Sequence, residues 1–382
     1  MHCRRLPLAL LTAGLSLLAP DRGAAAPAIA GAPETVFSWV RDSCAAGDFP
    51  ETPARAWRDA AGATHLVSGS EASRAMVGPD LDHVVRDCSV LFQGSGDADP
   101  AAVDDRAWIH SVYTADGVHL VALVHQEYHD RAAAVSGAEM RAACWRNAVI
   151  EITSDDGGRT FRRQGVALVA GSPYPRDPDE TARTGYFNPS NIIARDGYLY
   201  VYVWVPAFRA QRRGACLLRR PIDGSAADWR AWDGVGFGVR FADPYREDVA
   251  DPAAHVCAPL PGVTTMISSV AEGPDGRLLA VSPAARADDA GRVPGIYWME
   301  SSDMLTWSTP DLLLPVSLLW RHGCDEAKVY AYPSLLDPAS PSPTYTAIGR
   351  RPWLYLVEVP LVECRAGADR NLVRFPLSWP AP

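Results

Sequence analysis

Three side chains in the run His125-Gln126-Glu127-Tyr128-His129 have the types and spacing to do chemistry. Side chains alternate along an extended strand, so His125, Glu127 and His129 share one face. A carboxylate between two imidazoles can serve as a general acid or base, its pKa set by whichever neighbour is charged. The same trio offers imidazole and carboxylate ligands to a divalent metal. It equally fits a set of solvated residues at a strand end.

A second group suits binding rather than catalysis. Arg58, Trp108 and His110, Asn188 and Asn191, and Tyr330 and Tyr332 lie in or beside strand-like runs. Arg74 follows such a run, and Trp145, Arg146 and Asn147 lead into another. Aromatic faces, amides and guanidinium forks are what a sugar site needs for C–H stacking and for holding hydroxyls or a carboxylate. Other chemistries are excluded. Lys328 is the sole lysine and no Gly-rich loop precedes it, so there is no P-loop; G-x-S-x-G and H-E-x-x-H are absent. The acidic runs Asp97, Asp99, Asp104, Asp105 and Asp177, Asp179, Glu180 match no calcium-loop register and read as solvated loops. No cofactor is expected apart from the divalent metal the His-Glu-His trio could hold.

These residues need elements to position them, and the chain supplies a recurring one. Asn188–Val205 reads as two strands around the turn Arg195-Asp196-Gly197, whose Asp-Gly pair suits positive φ. Related hairpins start near Ala56, Trp108, Met266 and Tyr332. Five such units imply one five-bladed β-propeller, because a ring lets each small sheet bury both faces. The expected domain plan is a signal peptide over 1–30, an N-terminal arm over 31–53 and an all-β propeller over 54–382. Within it, Asp87–Phe92 reads as the third strand of the first blade, Asn147–Thr153 as that of the second, and Tyr174–Thr184 as a polar insertion.

The bulk properties agree. Of 382 residues, 48% are hydrophobic and 21% charged, a globular balance, and the 30 Gly and 32 Pro are scattered as turns are. Arg4 and Arg5, the apolar Leu6–Ala19 and the small residues Ala28-Ile29-Ala30 read as a cleavable export signal, giving a secreted or periplasmic protein. With it leave Arg4, Arg5, Arg22 and Asp21, so the mature chain is two units more negative than the whole-chain −9. That acidity argues against nucleic acid as a partner. No later run reads as a membrane span. The remaining seven cysteines contain no C-x-x-C pair, so disulfides are expected, with one thiol left over and Cys216–Cys257 the preferred pair.

Ser154, Asp156, Gly158 and Phe161 match S-x-D-x-G-x-x-[WF], the Asp-box of sialidase-like and other propellers, and Ser301–Trp307 is a shorter relative. Asn188-Pro189-Ser190 and Tyr332-Pro333-Ser334 look like the blade openings of five-bladed glycoside hydrolases. The chain therefore resembles arabinanase-like and fructosidase-like propellers. The resemblance implies a glycoside hydrolase acting on poly- or oligosaccharides by carboxylate acid/base chemistry, with a carbohydrate as partner and a monomeric state. In those families an Asp stands at such openings; here Asn188 and Tyr332 do. Glu127 is then the expected catalytic carboxylate, with His125 and His129 beside it. A non-catalytic carbohydrate-binding or surface-interaction propeller is the alternative class.

Overall fold

The computed structural model describes residues 26–129, 145–176, 183–288 and 291–379. Five antiparallel sheets follow one another along the chain, and each of the five expected hairpins forms the inner two strands of one. The third blade is representative: Ile193–Arg195, Tyr198–Val205, Gly214–Pro221 and Arg230–Ala231, in spatial order. Its second strand reads Tyr-Leu-Tyr-Val-Tyr-Val-Trp-Val because both faces are buried. Leu199, Val201 and Val203 pack toward the second blade, and Tyr200 and Tyr202 toward the fourth.

Alternation of this kind recurs around the ring and closes it. Separate apolar clusters join the first blade to the second (Trp57, Val67 with Ile109, Ile150), the fourth to the fifth (Leu279, Ile296 with Leu354, Leu356) and the fifth to the first (Tyr355, Val357 with Ala56, Leu66). With the two clusters flanking the third blade, every sheet has a neighbour on each side. The fold is a five-bladed β-propeller.

Two parts of the chain depart from the sequence-based expectation. The arm before residue 54 does not merely lie against the ring. Glu34–Phe37 pairs with Asn371–Ser378, and Ala28–Ile29 pairs with Leu377 and Ser378, so the start of the chain completes the last blade. Ala28 and Ile29 thus form a strand within the segment assigned to the signal. The third strand of the first blade is Ala75–Gly78, followed by Val85–Arg86, and not Asp87–Phe92. That apolar run packs between sheets and not within one. Leu91 and Phe92 are buried between the first and second blades, and Cys88 is bonded to Cys44. Cys216–Cys257 and Cys324–Cys364 are the other disulfides, the first as expected. The odd cysteine, Cys144, lies outside the described residues, as does most of the insertion after Tyr174.

Strand direction sorts the loops between two ends. The turn containing Asp156 accepts backbone N–H groups of Arg159 and Thr160 on Oδ1, both at 3.0 Å, and Phe161 packs edge-on to Trp57. This turn and the Asp-Gly hairpin turns occupy one end. The loops after each second strand, and those linking successive blades, occupy the other.

On the ring axis sits Arg55, which is buried. Its guanidinium donates to His110 O, Ser268 O and Ser334 Oγ at 2.7, 2.7 and 2.8 Å, tying inner strands of four blades together. Burial pushes its pKa down to about 9.

Candidate active site

The second strand of the second blade, Leu120–His129, returns to the linker end, and its last residues bring the expected trio together. His125 Nε2 lies 3.1 Å from Glu127 Oε1, and His129 Nε2 lies 2.9 Å from Glu127 Oε2. The Asn188 backbone N–H donates to His125 Nδ1 at 2.9 Å, which makes Nδ1 an acceptor and leaves the proton on Nε2. The Asn147 side-chain amide also touches Nε2.

Burial of Glu127 works to raise its pKa, but the hydrogen bonds from His125 and His129 outweigh it and hold the carboxyl below the usual range. Glu127 is therefore an ionised carboxylate, with both oxygens occupied by imidazoles. One nitrogen faces each oxygen, an arrangement of hydrogen bonds and not of ligands around a common point. Among the described residues no three His, Cys, Asp or Glu side chains converge to hold a metal ion.

Other expected residues gather around this carboxylate. Trp108 is edge-on to His125 at 6.0 Å and donates Nε1–H to Glu51 Oε2 at 3.0 Å. His110 stacks on His125 at 5.1 Å; burial, then the neighbouring His125 and Arg55, drives its pKa well down, so it is a neutral spacer. Trp145 lies between His129, at 5.0 Å, and the guanidinium of Arg183, at 4.8 Å. Asn188 and Tyr332, both at positive φ (44° and 56°) before a proline, open onto a cleft of about 1110 Å³ between the third, fourth and fifth blades. Such backbone strain is characteristic of functional sites. Burial, and then the negative charge of Glu51, keeps the Tyr332 hydroxyl protonated. Tyr330 also lines the cleft and donates its hydroxyl to Glu358 at 3.1 Å.

Three expected residues do not join the site. Arg58 ends an inner strand that begins at Arg55, so it lies at the opposite end, over the Tyr345 ring and donating to Ser342 O. Asn191 is a brace between blades, exchanging hydrogen bonds with the Val270 backbone at 2.7 Å in both directions. Arg74 is at the correct end but donates to Cys88 O and Ala72 O, fastening the first blade. Of the acidic runs, Asp104 pairs with Arg163 at 2.8 Å and Asp105 accepts the His129 N–H, while Asp177, Asp179 and Glu180 lie outside the described residues.

The structure adds residues that sequence reasoning missed. Arg106, opposite Glu127 in the strand register, lies 3.6 Å from Glu71, a residue of the loop after the first blade's second strand. Burial, with further repulsion from Glu51 and Glu127, raises the Glu71 pKa despite Arg106. Glu51 is held by Trp108 and by Arg370 at 2.8 Å. Loop acids of this kind follow no periodicity, so the sequence carried no signal for them. A further hollow of about 710 Å³ lies between the second and third blades. Its charges pair among themselves, Arg220 with Glu151 at 3.1 Å, Arg240 with Glu247 at 2.7 Å and Arg246 with Asp243 at 2.7 Å.

No protein-family model matches the chain, and no curated protein matches it in sequence. Among solved structures it is similar to an α-L-arabinanase of Cellvibrio cellulosa, with 12% identity over 85% of this chain and 90% of that one, TM-score 0.46. A glycosyl hydrolase of Bacteroides ovatus shares 12% identity over 94% and 95% of the two chains, TM-score 0.49. An α-L-arabinofuranosidase of Podospora anserina shares 8% over 91% and 96%, TM-score 0.48. These likenesses concern the course of the chain and give no residue a role.

Proposed function

We propose that the protein is an exported glycoside hydrolase-like propeller that cleaves poly- or oligosaccharides with two carboxylates and water. The observation that carries the reading is the pair Glu71 and Glu127 at the linker end, where Arg106 faces Glu127 across the strands and lies 3.6 Å from Glu71. Their surroundings push their pKa values in opposite directions. Environments that separate two carboxyl groups in this way assign acid and base. Glu71, held protonated longer, donates to the departing glycosidic oxygen. Glu127, held ionised, takes the proton of the attacking water, with His129 yielding an oxygen to it and His125 fixing the other. Trp145 and the cleft beyond Asn188 and Tyr332 would seat the sugar. The chemistry uses no cofactor, so a chelator is expected to leave turnover unchanged.

The test is product formation from arabinan, xylan, fructan, sialyl and acidic polysaccharide substrates, by the wild type and by Glu127→Gln. Turnover that falls on the order of 10²–10⁴-fold in the variant, with the fold retained and only a small drop in melting temperature, is the expected result. Binding without turnover of any substrate would instead favour a carbohydrate-binding role, a reading consistent with the occupation of both Glu127 oxygens by histidine.

A further inference from the structure

The cleft beside the His-Glu-His trio has an unusual charge for this molecule. The chain holds 45 acidic and 36 basic residues, a net charge of −9. Yet the cleft is walled by Arg183, Arg212, Arg213, Arg286, Arg292 and Arg321, and among the described residues lining it there is no Asp or Glu. Elsewhere arginines find carboxylates close by, as Arg163 finds Asp104 and Arg374 finds Glu34. None of the six cleft arginines forms an ion pair among the described residues. Arg286 donates one N–H to Pro310 O, at 3.0 Å.

The arginines come from separate elements. Arg212 and Arg213 precede the third strand of the third blade, Arg286 and Arg292 stand on the long hairpin of the fourth, and Arg321 lies on the link to the fifth. Two are oriented by aromatic rings. Arg183 lies over Trp145 and Trp320, at 4.8 and 5.7 Å, and Arg213 over Trp204 at 5.4 Å. A guanidinium stacked through its face keeps its N–H edge for a ligand, and that edge matches an oxyanion in two-point fashion. Trp320 is 69% exposed, a flat apolar face at the cleft wall where a sugar ring can stack. Six like charges with no carboxylate among the described residues lining the cleft repel one another, and a ligand bearing the opposite charge relieves that repulsion. In a molecule otherwise negative, the cleft focuses attraction onto one place.

We propose that this cleft binds an acidic saccharide, one whose sugars carry a carboxylate or a sulfate, and that these groups are held by the arginine forks while Trp320 stacks on a ring. The proposal rests on reading the linker end as a saccharide site and names the class of saccharide. Asn188 lines the cleft and its backbone N–H reaches His125, the partner of Glu127, so a chain seated there extends toward the carboxylates.

The test is calorimetric titration of the full-length Glu127→Gln variant, which cannot consume its ligand. Four probes are compared: a short oligogalacturonate, the same oligosaccharide with its carboxyls reduced, a sulfated oligosaccharide, and a single-stranded oligonucleotide of similar charge. One of the two acidic oligosaccharides should bind about tenfold or more tightly than the reduced one, and should weaken as salt is raised. Which of the two binds better identifies the oxyanion. Arg213→Ala and Arg321→Ala, both exposed and without an ion pair among the described residues, should each weaken that binding about tenfold without lowering the melting temperature. Equal affinity for acidic and reduced oligosaccharides overturns the proposal, as does acidic binding that survives both substitutions. An oligonucleotide that binds as tightly as the acidic sugar overturns it in favour of nucleic acid. Acidic binding without turnover by the wild type removes the hydrolase reading and leaves this one standing. Turnover confined to neutral substrates does the reverse.

Discussion

A glutamate clamped between two histidines is kept ionised, and the sign of its shift fixes a pH dependence. Glu127 has a folded pKa below its ordinary 4.5, so its contribution to stability is present above that value and is lost as pH falls through the folded pKa. Glu71 is shifted the other way, so the fold favours its protonated form and ionising it costs stability. Activity should therefore follow a bell. Its acidic limb lies below pH 4.5, where Glu127 takes up a proton, and its alkaline limb above pH 4.5, where Glu71 loses one. Measuring kcat/KM against pH in the wild type and in Glu71→Gln checks this. The variant should turn over slowly and lack the alkaline limb; a limb left in place would mean that another group supplies the proton.

At the scale of elements, the outer strand Glu34–Phe37 holds the last blade to the first. Phe37 is completely buried against Tyr355, Val357 and Leu372, and Arg374 reaches Glu34 at 2.7 Å and Asp82 at 2.6 Å. Burial of a phenylalanine side chain is worth about 2–3 kcal/mol, and an uncovered Asn371–Ser378 would become an open sheet edge. A chain beginning at Gly31 loses the Ala28–Ile29 pairing alone and should melt slightly earlier than the full chain. A chain beginning at Ser38 loses both strands and should melt far earlier and self-associate. Thermal melts and sedimentation of the two truncations decide it; equal melting of both would show that the N-terminal strand does not close the ring.

For the whole molecule the axial Arg55 has a comparable role. Its forks satisfy carbonyls of His110 and Ser268 and the Ser334 hydroxyl, all buried, with no carboxylate among its hydrogen-bond partners. Arg55→Leu would strand those acceptors, at a cost on the order of 3 kcal/mol. The denaturant midpoint should fall accordingly, and a midpoint equal to that of the wild type would show that the axis needs no bolt.

Much of the fold was legible because the signals are local. Alternation over Tyr198–Val205 and the Asp-Gly turns depend on nearest neighbours along the chain, and the five hairpins formed where they were expected. The His125–Glu127–His129 cluster was legible for the same reason, since a strand places alternate residues side by side whatever surrounds it. Which end of the ring a residue reaches is a different matter. It depends on how far along its strand the residue lies, so Arg58, three residues beyond Arg55, reached the wrong end. Leu91 and Phe92 read as a strand because burial between blades and burial within a sheet select the same side chains. Glu71 and the six cleft arginines come from loops or strand ends far apart in the chain. Only closure of the ring brings the linker loops to one face, and that convergence is long-range packing that no local pattern encodes.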